Sequence, residues 1–255
     1  MNYFTKLGYR IYQKVLFVAQ AFLPINEPKL ITGNDAFYRL IETLKAAHHT
    51  QLFILTQKNL TELPEYKQLL ESFAKASIAY HVFDQTESNP TIGQINEAAR
   101  IYQEHHLTSL LAIGGGSVID LAKGVGAVIA RPNKSLQRMK GILKVSKKIP
   151  PLYAVPTTAG TGSETTLACV VTDETTAHKY AINDPVLIPK VAVLLPSITQ
   201  SMPPMITAST GMDALTHAVE AYLGKANTLK TKRYALSSIQ RIFTYLPIAY
   251  QEPKN

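Results

Sequence analysis

The chain contains a single cysteine, Cys169, which excludes an intrachain disulfide and a cysteine-based zinc cluster. That thiol sits in the apolar stretch Leu167–Val171 and reads as a buried small hydrophobe, not a reactive nucleophile. Absence of disulfides fits a reducing compartment, so a cytoplasmic location is expected. No apolar run approaches the roughly 20 residues that a membrane-spanning helix needs. The uncharged stretch from Val15 to Asn26 falls short of it, and the apolar segment Val15–Val18 is too short for a secretory signal. Zinc-finger spacing, aromatic RNA-binding motifs and internal repeats are also missing.

What remains is an ordinary globular composition. The 255 residues are 46% hydrophobic and 17% charged, enough for one large core or one domain plus part of a second. The formal net charge is +8, but the lysines and arginines are scattered, the densest group being Lys144, Lys147 and Lys148. A solvated basic surface explains this, and no nucleic-acid partner is expected. Phe4, Leu7, Ile11, Val15 and Val18 recur at helical spacing with Lys6, Arg10 and Lys14 on other faces. This predicts an amphipathic helical extension over 1–25.

From Pro28 to Pro196 short apolar runs alternate with helical periodicity. Strands are expected at Gln51–Thr56, Ala79–Phe83, Ser109–Ile113, Leu152–Val155 and Val191–Leu195, with helices near Glu65–Ala76 and Ile92–His105 and from Ser117. Such alternation predicts βαβ units, and therefore an α/β domain over 26–198 with a mostly parallel sheet. After the break at Ser201-Met202-Pro203-Pro204 the pattern becomes purely helical, over Ile206–Leu223 and Lys230–Leu246. This predicts the beginning of an all-α domain over 199–255, incomplete because two helices bury little surface.

Three segments carry chemistry. Gly114-Gly115-Gly116-Ser117 lies where a strand becomes a helix. Glycines let backbone approach an anion closely, and helix N-terminal amides point toward it. Ser117 and Asp120 have the spacing of a capping box; a tight turn with an ordinary cap is the rival reading. The loop Pro156–Glu164 concentrates Thr157, Thr158, Thr161 and Ser163 with two glycines at a strand's carboxyl end. Hydroxyls and free amides there suit a ribose, a carboxamide or a phosphate. Asp213 and His217 stand four apart on a helix, so a carboxylate and an imidazole share one face and can share a divalent ion. Taken alone, a solvated Asp–His pair is the commoner explanation of that spacing, and metal sites normally use three or more protein ligands.

Taken together and in this order, GGGSxxD at 114–120, PTTAGTGSE at 156–164 and GMDALTHAVEAY at 211–222 resemble the iron-containing alcohol dehydrogenase family. The resemblance spans roughly Glu27 to Asn255. It implies a nicotinamide- and metal-dependent alcohol dehydrogenase acting on a small alcohol or aldehyde, and a homodimer. In such enzymes Gly114, Gly115, Gly116 and Ser117 would hold the cofactor pyrophosphate, and Thr157, Thr158 and Thr161 its nicotinamide and ribose. Asn89, within Asn89-Pro90-Thr91, and Lys179 match further cofactor positions. Asp213 and His217 match two of four metal ligands, for Fe2+ or alternatively Zn2+.

The chain departs from the family in three places. Thr56-Gln57-Lys58 stands where relatives often carry Thr-Asp-Lys, whose Asp receives the ribose hydroxyls. Neutral Gln57 does not repel a 2′-phosphate, so NAD is expected and NADP is left open. Leu195-Pro196 replaces an Asp-Pro. No histidine follows His217, although two more metal histidines are implied. Either the chain is part of a longer enzyme, or it is a truncated product that binds only the dinucleotide. A glycerol-dehydrogenase-like relative is a further alternative.

Overall fold

The computed structural model describes residues 26–224 and 227–253, together with Gly8. The helical extension expected over 1–25 thus lies outside the described residues, Gly8 apart. The α/β part opens with β1 (Lys29–Thr32), α1 (Ala36–Ala46), β2 (Gln51–Leu55), α2 (Pro64–Lys75) and β3 (Ala79–Phe83). It continues through α3 (Ile92–Glu104), β4 (Ser109–Gly114), α4 (Gly116–Ala130) and the short α5 (Leu136–Met139) and β5 (Gly141–Ile142). Strands β6 (Leu152–Pro156), β7 (Ala168–Asp173), β8 (His178–Asn183) and β9 (Val191–Leu194) complete it. The short α6 (Pro196–Thr199) leads into two long helices, α7 (Pro204–Leu223) and α8 (Leu229–Gln251).

Among the described residues, six strands form one sheet in the order β1-β9-β6-β4-β2-β3, every pairing parallel. Side chains alternate across it with the two-residue period of a strand. Leu52, Ile54, Leu111, Ile113, Tyr153 and Val155 face one way, onto Leu40 and Leu44 of α1 and Leu69 and Phe73 of α2. Their neighbours Phe53, Leu55, Leu110, Ala112, Leu152 and Ala154 face the other, onto Ile95 and Ala98 of α3 and Val118, Leu121 and Val125 of α4. Helices cover both faces, which is why the strands read as continuous apolar runs.

The strand order places a reversal between β2 and β4. From β2 the chain moves outward to the edge strand β3, then crosses back to β4 and proceeds through β6 to β9. Crevices at such a reversal, beyond the carboxyl ends of the strands, are where open parallel sheets bind ligands. Gln57, the glycine turn and the threonine loop follow the carboxyl ends of β2, β4 and β6.

A smaller three-stranded sheet, β5-β8-β7, flanks the main one, with β7 and β8 an antiparallel hairpin. It joins α3 through a bridge between Thr91 and Thr172. The sequence pattern anticipated neither this hairpin nor β1 and α1. Beyond β9 all described structure is helical. Within α7 and α8 only Thr207, Ala218 and Ala235 are buried, yet the two helices cross closely. A Cβ at Gly211 would collide with the Leu246 side chain. No helix among the described residues is long and apolar enough to cross a membrane.

Candidate active site

At the end of β4 the chain turns through its glycines into α4. The Gly114 carbonyl accepts from the Thr157 amide at 3.1 Å, which fixes the turn against the start of the threonine loop. Thr56, buried, donates its hydroxyl to the Ile113 carbonyl at 2.8 Å. A Cβ at Gly114 would run into Val118, so the close packing of turn on helix requires glycine there. Gly115 is the N-cap, and no side chain caps the helix. Its carbonyl receives the Val118 and Ile119 amides, leaving the Gly116 and Ser117 amides free to meet a ligand, as at any uncapped helix start.

The expected capping box is therefore absent. Ser117 Oγ accepts instead from the Asn89 amide at 3.2 Å, and Asp120 Oδ2 from the Val170 amide at 3.1 Å. Both side chains brace neighbouring segments against α4, because Gly115 already closes the first turn through its backbone. Asn89 holds a left-handed backbone with φ 61°, which a short polar side chain tolerates better than most.

The threonine loop lies directly on the glycine turn. A Cβ at Gly115 would stand 3.2 Å from Thr158 Cγ2, and one at Gly116 would stand 3.2 Å from Ser163 Oγ and 3.4 Å from Thr161 Cγ2. Thr157 is buried. Thr158 Oγ1 is buried too, with no hydrogen-bond partner among the described residues. A buried hydroxyl without a partner is costly unless a ligand completes it. Gly160 (φ 137°) presses against the backbone of α7 at Thr210, leaving no room for a Cβ. The same loop thus touches the glycine turn on one side and the helix that carries Asp213 and His217 on the other.

One turn beyond Thr210, Asp213 Oδ1 and His217 Nε2 lie 3.7 Å apart, both about half exposed. His217 lines an open cleft of about 570 Å³ that also includes Gly160, Thr161, Gly162 and Arg241. The pair offers one carboxylate and one imidazole to an ion. Among the described residues no group of three or more histidine, cysteine or acidic side chains gathers around a common point. Lys179 lies on β8 as the partner of Thr172, and the Thr172 amide donates to the Pro90 carbonyl at 2.9 Å. Its strand is thereby tied to the Asn89 segment, while its side chain is exposed.

Two residues escaped the sequence reading. Lys123 of α4 is fully buried. Its Nζ donates to the carbonyls of Ser163, Thr166 and Ala168 at 2.8, 2.8 and 2.7 Å, and meets Thr166 Oγ1 at 3.0 Å. Desolvation pulls this ammonium below the usual lysine range, opposed by the nearby Asp120 carboxylate. Burial in turn pushes the Asp120 carboxyl up to about 6, with Lys123 and the Val170 amide opposing. The signal was legible: Lys123 is the single cation inside the apolar stretch Leu121–Ala130. The other is Glu174, whose carboxylate accepts from the Ile92 and Gly93 amides at 3.1 and 2.9 Å and so fastens the first turn of α3 to the β7–β8 hairpin.

These features fit a dinucleotide: a turn in which added side chains would occupy the space, unpaired first-turn amides and an orphaned hydroxyl beside them. Asp213 and His217 fit one side of a divalent ion's coordination shell, since a carboxylate with an imidazole suits iron or zinc.

Comparison with known proteins agrees with this geometry. Residues 27–196 match the model for iron-containing alcohol dehydrogenase, and residues 207–255 match that for the C-terminal part of the same family. Alcohol dehydrogenase 4 of Schizosaccharomyces pombe is 34% identical over 223 residues, covering 88% of this chain and 53% of its own length. An NAD-dependent methanol dehydrogenase of Bacillus methanolicus is 32% identical over 222 residues, covering 87% of this chain and 58% of its own. The solved alcohol dehydrogenase from Oenococcus oeni superposes with a TM-score of 0.86 at 32% identity, over 91% of this chain and 61% of that one. The chain therefore spans little more than half the length of the curated relatives it matches. On its glycine turn, its threonine loop and these matches, the chain belongs to the iron-containing alcohol dehydrogenase family.

Proposed function

We propose that the chain forms the cofactor-binding part, and half of the metal site, of a nicotinamide- and metal-dependent oxidoreductase that interconverts small alcohols and aldehydes. The observation that carries this reading is the stacking of Thr158 and Thr161 on Gly115 and Gly116, beside free helix amides. The amides of Gly116 and Ser117 bind the pyrophosphate, with Gly114 and Gly115 giving it room. Thr157, Thr158 and Thr161 would hold the ribose and nicotinamide, beside the cleft that Thr161 and His217 line. Asn89 borders the pyrophosphate through its contact with Ser117, and Lys179 lends positive charge from β8. Asp213 and His217 hold the metal, which when bound supplies Lewis acidity toward the substrate oxygen. The hydride chemistry belongs to the cofactor, and the residues of this chain align and desolvate it.

NAD is the cofactor we favour, in keeping with the name of the Bacillus methanolicus relative. The Gln57 carboxamide is engaged with the Thr86 carbonyl at 3.3 Å, and as a neutral group it leaves NADP admissible. Residues 26–198 form the dinucleotide domain and 199–255 belong to a helical metal domain. A cytoplasmic homodimer completes the proposal. The test is turnover of simple alcohols with NAD by the protein supplied with iron or zinc: chelation abolishes activity, and His217→Ala does the same. Activity indifferent to both treatments would contradict the metal assignment.

A second reading has its own support, because only two metal donors stand together among the described residues. In it the 255-residue chain binds the dinucleotide without turnover. Calorimetric NAD binding with no activity under added metal would favour it, and robust turnover would sink it.

A further inference from the structure

Helix α4 turns one stripe toward the threonine loop and β7. Gly116, Asp120 and Lys123 occupy positions i, i+4 and i+7, which fall on one face of a helix. Gly116 packs on Thr161 and Ser163, Asp120 receives the Val170 amide, and Lys123 reaches into the turn that ends the loop. That turn, Ser163–Thr165 and the bend after it, directs the carbonyls of Ser163, Thr166 and Ala168 inward at one buried point. Buried carbonyls with no donor carry a full desolvation penalty. An ammonium has three N–H groups to divide among them, and no neutral side chain offers as many from one atom.

We propose that Lys123 is a positioning residue for the dinucleotide, a latch that holds the far end of the threonine loop at a fixed height above the glycine turn. The proposal rests on the cofactor reading given above. The near end of the loop is already fixed, since the Thr157 amide bonds the Gly114 carbonyl. With Lys123 fixing Ser163 and Thr166, the segment 158–162 is held at both ends across the mouth of the site. Thr158, with its unpartnered hydroxyl, lies in that segment. The latch thus governs the nicotinamide-ribose side of the site, while the pyrophosphate side depends on the glycines and the start of α4.

Lys123→Met, which keeps length and apolar bulk, tests this by comparing two ligands on the whole chain. NADH spans both sides of the site; ADP reaches only the adenosine and pyrophosphate side. NADH affinity is expected to fall about tenfold, the scale of losing charge-assisted hydrogen bonds, with loss of the change in nicotinamide fluorescence on binding. ADP affinity is expected to stay within about twofold of wild type. Equal affinity of the variant for NADH would overturn the proposal, and so would parallel loss of both ligands, which marks Lys123 as a general scaffold residue. Failure of the wild-type chain to bind either ligand would instead overturn the cofactor reading, and this proposal with it. If the variant does not fold, Thr166→Val removes one acceptor and leaves the ammonium, and a smaller NADH-selective loss is expected; no loss would overturn the latch.

Discussion

Gly115 is where space, not backbone strain, decides the outcome. Its φ of −74° and ψ of −172° are open to any residue, but a Cβ would meet Thr158 at 3.2 Å. Gly115→Val is expected to fill the cradle and lower NADH affinity about tenfold, the equivalent of about 1.4 kcal/mol of overpacking, with the melting temperature the control on folding. Asp120 gives a pH prediction. Its carboxyl titrates at about 6 in the folded chain, above its ordinary value near 4. Ionisation thus opposes folding: the folded state holds the proton more tightly, and stability falls as pH rises from about 4 through about 6. Asp120→Asn cannot ionise and still offers an oxygen to the Val170 amide. Denaturant midpoints should show the variant gaining on wild type across that interval, with a constant difference above it. A difference independent of pH would contradict the burial of this carboxylate. The glycine turn, the threonines and the Asp213–His217 spacing were legible in the sequence because each is a local pattern. The partners of Ser117, Asp120 and Lys123 were not, because they lie on segments distant in sequence that only the fold brings against α4.

At the scale of elements, the parallel sheet and its helices were legible for the same reason that they are stable. Strands buried on both faces must be continuously apolar, and β2, β4 and β6 are. The β7–β8 hairpin escaped notice because β8 is short and opens on the polar pair His178-Lys179, which left the apolar stretch within β7 without a recognisable partner strand. Edge strand β1 is only four residues long, with one buried side chain. Helices α7 and α8 were recognised by periodicity, yet they present large apolar side chains to solvent, among them Met205, Leu223, Leu229 and Phe243. Elements that bury so little open at low free-energy cost. Pro247 also removes a backbone donor inside α8. Amide hydrogen exchange should therefore run well ahead in α7 and α8 of that in β4, β6 and α4. Equal protection throughout would contradict the weak attachment of the helical pair.

At the scale of the whole molecule, the two kinds of chemistry are unevenly provided. The proposed dinucleotide site draws on β4, α4, the β6 loop and the Asn89 segment, all within the α/β part. The Asp213–His217 pair, proposed to hold the metal, stands on a helix that meets that part where Gly160 packs on Thr210. Dinucleotide binding should therefore be independent of metal, whereas turnover should not. The most direct measurement is a calorimetric titration of NAD into the chain in the presence of chelator. Saturable one-to-one binding is expected, unchanged by chelator and weakened by Gly115→Val. No binding, or binding that Gly115→Val leaves untouched, would contradict it.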